Sequence, residues 1–60
     1  MTPNRTAVRV VAPHFVAGII LDETGHCVEA APILRWTVGK HYSELRAYFW
    51  RRKWLAHLVR

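Results

Sequence analysis

Acidic side chains are few in this chain. Four Asp and Glu stand against nine Lys and Arg in 60 residues, a formal net charge of +5, so an acidic partner is favoured. Cysteine occurs once, at Cys27, which excludes an internal disulfide and the cross-linked scaffolds of small secreted domains; a reducing cytoplasm is the expected setting. Long hydrophobic runs are missing too. The longest, Phe15 to Leu21, is far too short to span a bilayer, and the N-terminal "MTPNRTAVRVV" lacks the apolar centre of a signal peptide, so a soluble protein is expected.

Chemistry-bearing patterns are scarce as well. His14, His26, Cys27, His41 and His57 show none of the paired spacings of zinc sites, so no metal is expected. A lone small cysteine in strand-like sequence reads as inert packing rather than a nucleophile. Asp22 and Glu23 fall in a turn, where carboxylates serve local hydrogen bonds, and no acid and base pair emerges. The expectation is a non-enzymatic binding protein with no cofactor. Its length allows one small domain of marginal stability, residues 1–60, with 1–6 expected to be flexible. With 52% apolar and 22% charged residues, the composition is that of a globular chain rather than a disordered tail.

What is present is first a valine-rich stretch, "AVRVVA", which predicts a strand from Ala7 to Ala12 closed by Pro13. The run "FVAGIIL" meets the turn residues of "DETG" before "HCVEA" resumes alternation, the pattern of a β-hairpin. Strict alternation along that second strand puts Cys27 and Glu29 on one face and His26, Val28 and Ala30 on the other, with Val28 as the core residue. Pro32 then opens a short helix to Val38, with Ile33, Leu34, Trp36 and Val38 as its apolar face and Gly39 just past its end. A second helix follows through "KHYSELRAYFWRRK", capped by His41 or Ser43, with Glu44 in its first turn and cations toward its C-terminus.

On a helical wheel Leu45, Tyr48 and Phe49 share one side, while Arg46, Lys53 and Arg60 align on another. Continuing the helix to Val59 would bury Arg52 unpaired, so a break is expected near Lys53. The tail "WLAHLV" is then a helical turn or, by its place after the basic cluster, a short final strand. The predicted fold is α+β: an N-terminal β-hairpin or sheet packed by two C-terminal helices.

Most of the excess charge sits in the last third, where Arg46, Arg51, Arg52, Lys53 and Arg60 face only Glu44. Interleaved with these cations are Tyr42, Trp50 and Trp54. Exposed Trp beside Arg marks both protein hot spots and single-strand stacking surfaces, whereas Trp36 reads as core. The candidate partner-binding or nucleic-acid-binding residues are therefore Tyr42, Arg46, Trp50, Arg51, Arg52 and Lys53. A membrane-surface role ranks last, because Arg51 and Arg52 interrupt the apolar arc. Two helices around Gly39 also have the layout of a helix-turn-helix, in which Tyr42, Ser43, Arg46 and Trp50 would face a major groove; Arg35, at a position that usually needs a small residue, argues against it.

The order of motifs in "VVAPHFVAGIILDETG" and "AAPILRWTVGKHYSELRAYFWRRKW" resembles a class of short uncharacterised proteins encoded by bacterial viruses, over about residues 8–54. Lys53 followed directly by Trp54 departs from it, since a glycine is expected there. The resemblance carries over no site. It implies an accessory factor of the host cytoplasm that acts by stoichiometric binding, often on machinery that handles nucleic acid. The leading expectation is thus inhibition or modulation of such a complex through an acidic protein surface or nucleoprotein. The alternatives are direct DNA or RNA binding, and a structural or homo-oligomeric subunit whose apolar tail completes a partner's sheet.

Overall fold

β-Branched residues recur from Thr6 to Ile20, and the computed structural model, which describes residues 5–59, folds that stretch into paired strands. β1 (Thr6–Ala12) and β2 (Phe15–Leu21) are joined by Pro13 and His14 alone. Pro13 has no N–H to give a ladder and ends β1. β2 then pairs with β3 (Cys27–Ala30), and β4 (Leu55–Val59) returns to the far side of β1, giving one antiparallel sheet in the order β3-β2-β1-β4. Of the segment 1–6 expected to be flexible, Thr6 belongs to β1, and residues 1–4 lie outside the described residues.

The predicted pair of C-terminal helices packed on the sheet is corrected. Among the described residues there are four strands and a single α-helix, α1 (Tyr42–Arg51), and the segment expected to be the first helix is a 3-10 helix over Pro32–Thr37. Leu34 interrupts even that, with φ −113° and ψ 18°. The physical reason is the spacing of what it buries. In 3-10 geometry residues three apart eclipse one another, which turns both Leu34 and Thr37 into the core, and the Thr37 hydroxyl donates to the Leu34 carbonyl at 2.6 Å. Ile33, Trp36 and Val38, expected on the apolar face, are exposed. Trp36 instead lays its ring against Tyr48, with centroids 4.7 Å apart.

A register shift between Ile20 and Leu21 explains a second correction. Ile20 faces Glu29 but Leu21 faces Cys27, so Val28 is the extra residue of a bulge. The alternation resets there, and Cys27 rather than Val28 enters the core, joining Val8, Val10, Ile19, Leu21, Leu34, Leu45 and Phe49. All of these lie between one face of the sheet and the helical segments. The opposite face has no layer over it among the described residues, and Val16, Leu55 and Val59 stand exposed there beside Arg9 and His57.

A candidate binding groove between α1 and β4

α1 begins where His41 caps it. The imidazole Nδ1 accepts the Ser43 backbone N–H at 3.1 Å, and Nε2 donates to the Thr24 carbonyl at 3.0 Å, so one ring starts the helix and ties it to the β2–β3 turn. Gly25 in that turn has φ 88°, and a side chain there would meet His41 Nε2 at 2.8 Å. Asp22 organises the same turn, accepting from the Thr24 hydroxyl at 2.6 Å, the Thr24 N–H at 2.9 Å and the His26 N–H at 3.0 Å. The Thr24 hydroxyl first, and the His26 amide second, hold the Asp22 carboxyl below its ordinary range.

The helix ends at Arg52 in a Schellman arrangement. Lys53 N–H donates to Trp50 O at 3.0 Å and Trp54 N–H to Phe49 O at 2.9 Å, with Lys53 at φ 61° in the left-handed position that glycine usually fills. The accompanying apolar contact is the Trp54 ring stacked on Phe49, centroids 5.8 Å apart. This corner turns the chain into β4 and leaves an open groove of about 700 Å³ between helix and strand. Tyr42, Arg46, Trp50 and Arg51 line it from α1, and Trp54, Leu55 and Ala56 line it from the returning chain.

Four of the six sequence-predicted site residues therefore share one surface. Tyr42 is partly buried against the core, Arg46 and Arg51 are exposed, and Trp50 is 83% exposed. The 42, 46, 50 spacing places the first, second and fourth of these on one ridge. Arg52 and Lys53 are elsewhere: the Arg52 guanidinium lies over the Tyr48 ring, 5.1 Å from its centroid, and Lys53 occupies the corner. Sequence reasoning weighed Trp54 but left it and Leu55 out of the site, although the strand reading of the tail was the signal that would have placed them. Arg60 lies outside the described residues.

No carboxylate among the described residues lines the groove. Among the described residues the ion pair is Arg5 with Glu29, 3.7 Å apart and away from α1, and no carboxylate among them pairs with an α1 cation. No group of three or more His, Cys, Asp or Glu is placed to hold a metal ion among the described residues. Cys27 is buried, its Sγ 3.4 Å from the Thr37 hydroxyl. No helix among the described residues is long and apolar enough to cross a membrane.

The helix-turn-helix layout does not form, because its first member is a kinked 3-10 segment rather than an α-helix. No protein-family model, no curated protein and no solved structure matches this chain.

Proposed function

We propose that this chain is a small non-enzymatic binding protein, an accessory factor of bacteriophage type that acts in the bacterial cytoplasm by occupying an acidic surface on a nucleic-acid-handling complex. The observation that carries this reading is the Trp50 ring, almost fully exposed between Arg46 and Arg51 on a groove with no carboxylate among the described residues. An indole in water is an unfavourable resting state for an isolated domain and a favourable anchor for a partner, and flanking guanidinium groups select that partner for negative charge. Modulation by occlusion requires nothing further from the chain.

A second reading has support from the same residues. A flat ring beside two cations is the minimal platform for a stacked base and its flanking phosphates, so direct and largely sequence-independent binding of single-stranded nucleic acid is the alternative.

Titration of the purified protein with labelled single-stranded and duplex DNA over a salt series separates the two. For an acidic protein target, DNA binding is absent even at low salt. An immobilised wild-type protein then retains its target from a bacterial lysate while Trp50→Ala loses it by about thirtyfold, some 2 kcal/mol. For direct binding, micromolar affinity falls with salt, and Arg46→Gln with Arg51→Gln flattens the slope. Retention and affinity unchanged in all of these variants would reject the groove as the binding surface.

A further inference from the structure

We propose that β4 pairs with β4 of a second copy of this chain, antiparallel about a two-fold axis at His57, joining two four-stranded sheets into one. The two edges of the sheet are treated very differently. Along β3 the chain covers its own edge: Cys27 N–H donates to Lys40 O at 2.9 Å, Gly39 N–H donates to Cys27 O at 2.8 Å, and His26 bridges to His41. Along β4, among the described residues, no backbone group outside the sheet forms a bond. Its register with β1 runs without a bulge, and "LAHLV" contains no Lys, no Pro and no inward charge, so it lacks every device that keeps a free edge from pairing.

Charge and symmetry select a second copy as the occupant. In a chain of net charge +5, residues 55–59 form a strip without a Lys, Arg, Asp or Glu, so two copies meet there with no formally charged side chains in opposition. An acidic strand would find its complement at Arg46 and Arg51 instead. A two-fold axis at His57 sets Leu55 opposite Val59 of the second copy and Ala56 opposite Leu58, matching small to large on the helical side.

Leu58 gives this pairing a specific purpose. It stands opposite buried Val8 on the core face, yet it is 57% exposed. In the pair it meets Ala56 of the second copy, which lines that copy's groove, so each chain extends the apolar wall of the other's site. Face-to-face packing of the two outer sheet faces is disfavoured, since it would bury Arg9 in a row holding only Gly18 and His57.

The test is the mass of the full chain in solution by size-exclusion chromatography with light scattering, with circular dichroism confirming the fold of each variant. It is independent of any binding partner, so its failure leaves the proposed function standing and the converse holds too. Wild type runs at twice the 7.0 kDa chain mass at high micromolar concentration. Leu55→Lys and Val59→Glu, both at exposed positions, each shift it to monomer, and the double variant restores the dimer because positions 55 and 59 face each other twice across the axis. Val16→Lys, on the outer face away from β4, leaves the dimer intact. A monomeric wild type overturns the proposal, as does a dimer broken by Val16→Lys but not by Leu55→Lys.

Discussion

Asp22 shows how much local order one side chain can impose. Its carboxylate collects three donors from two residues, and the turn it holds positions the Thr24 carbonyl that receives His41. Because the folded carboxyl sits below the ordinary 3.8, the unfolded chain binds more protons as pH falls. The stability that Asp22 contributes is complete above that value and is lost as pH drops through the lowered one. Urea denaturation of wild type and Asp22→Asn along a pH series checks this: the two curves separate most at neutral pH and converge in acid. Val28 and Cys27 carry the opposite lesson at this scale, since a bulge nowhere marked in the alternation exchanged their roles.

For single elements, the end of α1 is the informative place. The seven residues of β2, the helix around Leu45 and Phe49 and the break near Lys53 were legible, because each rests on local patterns of apolar residues, turn formers and cations, whereas the tail read as a helical turn or a strand until its pairing with β1 decided it. The 3-10 segment was not legible, because Pro32 and Gly39 bracket a helix of either pitch and only the burial of Leu34 with Thr37 decides between them. Lys53 holds a left-handed φ that strains any side chain carrying a Cβ. Lys53→Gly is expected to stabilise the protein by about 1 kcal/mol and raise its melting temperature by about 4–8 °C, as thermal denaturation will show.

Across the whole molecule, two surfaces with opposite physics sit on either side of β4: a basic groove on α1 and an uncharged strand edge. Their responses to ionic strength therefore diverge. Raising salt from about 50 to 300 mM shortens the Debye length from roughly 14 to 6 Å, which weakens engagement of an acidic partner by the groove. The same change screens repulsion between two copies of a +5 chain and tightens β4 pairing. Sedimentation equilibrium and partner titration in the same buffers measure both trends. A domain this small buries a limited core, so contacts made with a second copy contribute directly to its stability.

By itself the sequence determined where β2 runs, where the chain turns after it, where α1 starts and stops, and that the last third is basic and aromatic. These are properties of residues within about one helical turn or one hairpin of each other, and their chemistry is written locally. Only the tertiary structure decided that β4 returns beside β1, that α1 faces it across a groove, that Arg52 turns away onto Tyr48, and that one sheet edge is covered while the other, among the described residues, is bare. Those outcomes depend on which distant strands share a ladder, and the ladder is chosen by the burial of the whole core at once.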